Sequence, residues 1–392
     1  MSLANDRSWA IRAQGEKYRP MNQPRPHSTP DPRDRTIGCA VSGDFPQWLS
    51  EAGGTLALTT YQAGKVGLIG WDGRQVTLLF RDFDKPMGLA RDGSRLLLAT
   101  RHQLFMFANA PLLANDFQEH RRGAYDALYL PRVAYFTGDL NVHDVAFGAE
   151  ALWMVNTRFS CLASPSRDFN FVPQWRPPFV TATVPEDRCH LNGLAMAEGR
   201  PKFVTALGQT DDLGGWRSNK ASGGVVVDVE TNTVVLRGLS MPHSPRLHDG
   251  ALWVLNSGAG ELWRVDPATF RHDVVCTLPG YLRGLCLVGP FALVGLSIIR
   301  ETHIFGGLPV QTRHPRLHCG VAVVDLRTGR EVGRLDFTSG CTELFDVCFL
   351  PGVTRPMILH LGKDEVQQAF TAPEFSYWLR PSALIPDPEP RG

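Results

Sequence analysis

Short apolar runs recur along the chain from Thr36 onward. TLALTT, KVGLIG, VTLLF, RLLLAT, ALWMVN, GVVVDV, ALWVLN and ALVGLS are separated by Gly, Asp, Asn and Pro. Runs of this length between turn residues predict strands, and their density predicts an all-β fold. Helical spacing is nearly absent, and DFPQWLSEA, Asp44 to Ala52, is the best short helix candidate.

An internal repeat decides which all-β fold to expect. HDVAFGAEALWMVNT, starting at His143, lies over HSPRLHDGALWVLNS, starting at His243, about 100 residues later. GVVVDVETNTVV and GVAVVDLRTGREV recur at nearly the same separation, which fits two repeats of about 50 residues, the size of one four-stranded propeller blade. One inner-strand start can be found in each interval: KPMGLA, NVHDVA, HLNGLA, MPHSPR, YLRGLC and ELFDVC. Six starts predict a single β-propeller of six blades over residues 37–392, and an extra unit built from the N-terminal strands would make seven. The runs after Gly54 read as outer strands of a last blade whose inner strands come from LFDVCFLPG and RPMILHL, a closure that removes an exposed sheet edge. Residues 1–36 carry PRPHSTPDPRDR and too little apolar content to fold alone, so they are expected to form a disordered or extended arm.

Composition narrows the partners. Lys plus Arg total 40 against 39 for Asp plus Glu, so no net field draws nucleic acid or an anionic membrane. No apolar run approaches the roughly 20 residues that span a bilayer, and the first residues lack a signal-peptide core, so a cytoplasmic location is expected. Eight cysteines occur without a CxxC pair, and Cys286 and Cys348 sit inside apolar runs, which reads as buried thiols rather than disulfides.

Aligning the six starts puts Met87, His143, Asn192, His243, Arg283 and Phe345 at one equivalent position. His190 precedes Asn192 by two, and in an extended strand it shares that face. His143, His190 and His243 therefore have matching parity near the channel. Three imidazoles with Asn192 nearby suit Zn, Fe or Cu and leave a position open for water or substrate, whereas hydrogen bonding between blades is the bland alternative. Asp144 and Asp346 take the other parity and are expected to tie strand ends to neighbouring amides, with a direct role for Asp346 held open. Arg283 is the ring's only cation, and its fork suits a carboxylate or phosphate, or a salt bridge to Asp346 or Glu343. Arg300 and Glu301, and Trp216 with Arg217, lie in polar inserts of the kind that cover a propeller mouth. His248, His272, His314 and His318 fall outside the register. There is no dinucleotide or Walker loop, no HExxH and no GxSxG.

TYQAGKV, NTRFSCL, PEDRCHLNGLA, VTALGQTD, GWR, GLSMPHSPR and GLSIIRE, in that order, resemble an uncharacterised bacterial propeller-like family, a likeness that covers nearly everything after residue 36. HLNGLAM is more distantly similar to the inner-strand pattern of the gluconolactonase and regucalcin family, six-bladed propellers with a divalent metal held by Asn, Asp and Glu. That likeness implies Asn192 as a ligand, while histidines standing in place of the acidic ligands imply a softer metal than calcium. The expected function is a metal-dependent enzyme: the ion polarises a substrate oxygen or activates a water, and Arg283, Arg300, Glu301 or Asp346 act on a small anionic or peptide-like substrate. A non-catalytic scaffold that binds a peptide or protein partner across one face is the rival reading.

Overall fold

Apolar side chains on both faces of one strand need cover on both faces, and the packing of ALWVLN shows how the chain provides it. Leu252 and Val254 face one neighbouring sheet while Ala251, Trp253 and Leu255 face the other. The computed structural model describes residues 36–299 and 306–380. Among these, six sheets of four or five strands form the six blades of a β-propeller. The inner strands of blades 1 to 6 are Leu89–Asp92, Val142–Phe147, Leu191–Ala197, Pro242–His248, Tyr281–Val288 and Asp346–Pro351. All six follow the starts read from the sequence. Each interface between adjacent blades holds its own apolar cluster, so the core is a ring of six wedges rather than a central mass.

Blade 6 closes the ring. Its inner strand comes from the C-terminal part and pairs antiparallel with Gly54–Thr60, with Leu58 opposite Val347, and Lys65–Trp71 and Val76–Asp82 complete the sheet. The expected N-terminal closure is present, but RPMILHL takes no part in it. Pro356–Ile358 instead pairs parallel with the outer strand of blade 1, opposite Ala127 to Tyr129. Gly38–Gly43 likewise adds a fifth strand to blade 5, opposite Gly333 to Ser339. Both outer additions cover sheet edges next to the closure, where unpaired backbone would otherwise be exposed. The predicted helix forms over Phe45–Ala52 and ends at Gly53, whose φ of 62° suits glycine. Phe45, Trp48 and Leu49, at helical spacing, are buried in the cluster between blades 5 and 6.

The two-blade period of the sequence has a physical basis at the channel. Gly88, Gly193 and Gly284 of blades 1, 3 and 5 lie against the backbone of Asp144, Ser244 and Asp346 in the next blade. A Cβ there would come within 3.0 Å of Asp144, 2.9 Å of Ser244 and 2.7 Å of Val347. In return, the Leu194 amide donates to Asp144 Oδ2, the Gly284 amide to Ser244 Oγ and the Leu89 amide to Asp346 Oδ2. Small and polar residues thus alternate around the axis, and two blades form the repeating unit. All eight cysteines are free thiols, and among the described residues no helix is long and apolar enough to cross a membrane.

Candidate functional site

The channel is polar at its middle and at one mouth, whereas its other end is lined mostly by apolar side chains such as Leu89, Val145, Leu194 and Leu285. At its middle, Asp144 and Asp346 are almost fully buried, and each also accepts a hydrogen bond from the amide of its own next residue. Arg246 reaches from blade 4 to Asp144 at 2.8 Å and lies 3.9 Å from Asp346. Burial opposes the Arg246 charge, but the two carboxylates outweigh it and hold the guanidinium above its ordinary pKa. Asp346 is pushed up to about 7 by burial and then by Asp144, with Arg246 opposing. The expected role of these two aspartates as ties to neighbouring strands is what the structure shows. Arg246, which unites them, is absent from the sequence expectation.

Above this layer stand His143, His243 and Arg283, all buried. His143 Nδ1 lies 2.9 Å from the Asn141 carbonyl and 2.7 Å from Thr157 Oγ1. His243 Nδ1 repeats the arrangement, 2.8 Å from the Met241 carbonyl and 3.1 Å from Ser257 Oγ. A carbonyl only accepts, so both rings carry their proton on Nδ1 and leave Nε2 with a lone pair. Both pKa values are held well below the ordinary histidine value by burial. Repulsion adds to this, from His190 and Arg283 at His143 and from Arg283 at His243. Neutral rings follow at physiological pH. Arg283 lies over Phe345 and Tyr281, with its charge 3.8 Å from Glu343.

His190 reaches the channel by a different route from the one its parity suggested. It precedes the inner strand of blade 3 with φ of 50°, in left-handed rather than extended backbone. This turn brings its ring to 4.7 Å from that of His143, at the mouth. His190 Nδ1 is bound by the Asp187 carboxylate at 2.9 and 3.0 Å. Asp187 Oδ2 also accepts from Trp216 Nε1 at 3.0 Å, and Trp216 packs against the His190 ring while carrying Arg217 on its other contact at 4.3 Å. The 3₁₀ turn Gly215–Asn219 therefore covers the mouth as its insert position suggested. Tyr61, stacked on Phe345, closes the opposite side, and together these groups enclose a cavity of about 170 Å³.

The remaining expectations separate clearly. Arg300 and Glu301 lie outside the described residues. Asn192 is committed to its neighbours, because Nδ2 donates to the Pro242 carbonyl and Oδ1 accepts from Thr205, so it ties blades 3 and 4. His272 stacks on Trp263 on the outer part of blade 4, and His248 meets the Gly289 carbonyl at the opposite end of the channel from the three aligned histidines. His318 lies 3.3 Å from Asp336 Oδ1 on blade 5, and His314 ends the short helix Pro309–Arg313. Asp187 and Tyr61 belong to the site but were not read from the sequence, whereas Glu343 stands beside Arg283 as the salt-bridge alternative had it. The D-x-x-H spacing of Asp187 and His190 was the one local signal for the first.

A model of a family described as "Domain of unknown function (DUF4915)" matches residues 43–359. No curated protein matches the chain. Among solved structures, a chain from a crystal structure of a nidogen/laminin complex is similar at 11% identity and a TM-score of 0.50, over 76% of this chain and 99% of that one. A protein of unknown function from Bacteroides caccae is similar at 8% identity and a TM-score of 0.47, over 76% and 99%. At such identity the nidogen/laminin likeness speaks to the propeller fold alone.

Proposed function

We propose, for a chain that belongs to the DUF4915 family and takes no known activity from it, that the channel mouth binds and transforms a small anionic substrate. The observation that carries this reading is Arg283, a buried guanidinium flanked by imidazoles that burial keeps neutral. A guanidinium is a fixed charge with a planar fork for carboxylate, phosphate or sulfate oxygens, and a neutral imidazole does not compete for the anion. His190 is the proton acceptor in this reading. Its Nδ1–H donates to Asp187, which leaves Nε2 to take a proton from water or a substrate hydroxyl and stabilises the imidazolium that results. At about 170 Å³ the cavity has room for a small anionic group and a few further atoms.

The oriented Nδ1 atoms of His143, His190 and His243 also favour a second reading, since metal-ligating imidazoles are usually held through their other nitrogen. Zinc, iron or copper would meet the three Nε2 atoms and supply Lewis acidity. As the side chains stand they are not a ligand set. Among the described residues no three His, Cys, Asp or Glu side chains are grouped to hold an ion, Asn192 is spent on its neighbours, and Arg283 adds a positive charge.

The deciding experiment is calorimetric titration of purified protein with small carboxylates, phosphate monoesters and sulfate esters, alongside metal analysis. Binding that Arg283→Met abolishes, with turnover that His190→Ala abolishes, is the expected result. If no anion binds, or Arg283→Met binds as well as wild type, the reading fails. Stoichiometric metal lost in His143→Ala, His190→Ala and His243→Ala selects the second reading, and absence of both favours a non-catalytic scaffold.

A further inference from the structure

Below the mouth lies a separate, much smaller cavity of about 10 Å³, lined by His143, His243, Arg283, Asp144 and Asp346 among others. Two buried atoms of its lining residues have no hydrogen-bond partner: His243 Nε2 and Arg283 Nε. They are complementary. With the His243 proton fixed on Nδ1 by the Met241 carbonyl, Nε2 is an acceptor, whereas Arg283 Nε–H is a donor. Buried polar atoms are rarely left unpaired, and about 10–15 Å³ is the room one water needs if it has two or more polar partners.

We propose that this cavity holds one ordered water, which donates to His243 Nε2 and accepts from Arg283 Nε–H, and that His243 is through it a positioning residue for Arg283. A halide is larger than water and is also opposed by the chemistry, because it would face the lone pair of His243 and two carboxyl groups. With Nε occupied from below, Arg283 is held with its Nη1 3.8 Å from Glu343 Oε1 at the edge of the mouth cavity, which both residues line. The water stands independently of what the mouth binds, whereas the positioning role rests on the anion reading above.

The test is a near-atomic-resolution crystal structure of the full chain, with a second crystal soaked in bromide. The expected result is one isolated peak within hydrogen-bond reach of both atoms and no anomalous signal there. An empty cavity, a bromide peak, or ¹⁵N NMR showing the His243 proton on Nε2 overturns the water. For the positioning role, His243→Phe fills the cavity and His243→Gln keeps an acceptor. Anion affinity is expected to fall about tenfold or more in the first and to stay near wild type in the second. Equal loss in both overturns positioning by His243. If the Phe variant does not fold, the Gln variant and the wild-type crystal still decide, and anion binding that survives Arg283→Met defeats the reading of the mouth while leaving the water in place.

Discussion

Asp144 of blade 2 and Arg246 of blade 4 meet across the channel at 2.8 Å, so one ion pair skips the blade between them. Asp144 also receives the Leu194 amide of that intervening blade, and a single carboxylate therefore gathers three blades. Asp144→Ala leaves the Leu194 and Val145 amides without their acceptor and takes the nearest carboxylate from a half-buried guanidinium, which keeps Asp346 at 3.9 Å and the Leu194 and Pro245 carbonyls. The expected cost is about 3–5 kcal/mol, measured by urea unfolding. Asp144→Ala combined with Arg246→Met is expected to cost less than the sum of the single changes, because the unpaired charge is removed as well. Strict additivity would show that the pair is not coupled.

The neutral state of His143 and His243 sets one slope of stability against pH. Both folded pKa values lie well below that of an unfolded histidine, so the unfolded chain binds more protons in that interval. Their contribution is present above about pH 6.5 and is lost as pH falls below it. Replacing either residue by Gln is expected to flatten the acid side of the urea midpoint measured between about pH 5 and 8. An unchanged slope in both variants would place the titration elsewhere.

Asp346 produces the opposite slope. Its folded pKa is raised to about 7, so its contribution is full below the ordinary carboxylate value and is lost as pH rises through about 7. Asp346→Asn removes this titration. The stability of the variant minus that of the wild type is therefore expected to increase from about pH 4 to 7 and to level off above. A difference that stays constant with pH would show that Asp346 ionises normally.

Asp187→Asn separates orientation from folding. The carboxylate anchors His190 Nδ1 and Trp216 Nε1 at a partly exposed site, so the fold is expected to survive with a small change in melting temperature. Turnover of an anionic substrate is expected to fall about a hundredfold or more with affinity less affected, because Arg283 is untouched. Trp216 emission should also shift as its indole N–H loses its acceptor. Full activity in this variant would remove Asp187 and His190 from the mechanism.

Much of the architecture was legible in the sequence because it rests on local patterns. Strand length, glycine punctuation and the paired ALWxxN blocks determined the six inner strands, the closure at Leu58 and Val347, and the helix at Phe45–Ala52. The parity of Asp144 and Asp346 was enough to expect their ties to neighbouring amides, since a strand fixes which face each side chain takes. Left-handed backbone at Asp187 and His190, with φ of 48° and 50°, broke that rule, so only the fold turned His190 toward His143 and gave it a carboxylate partner. The same limit holds for Arg246 within the channel, for Pro356–Ile358 on blade 1, and for the two unpaired atoms of His243 and Arg283. Alternation along a strand is dictated by the backbone of neighbouring residues, whereas contacts across the axis depend on how six separate blades close into a ring.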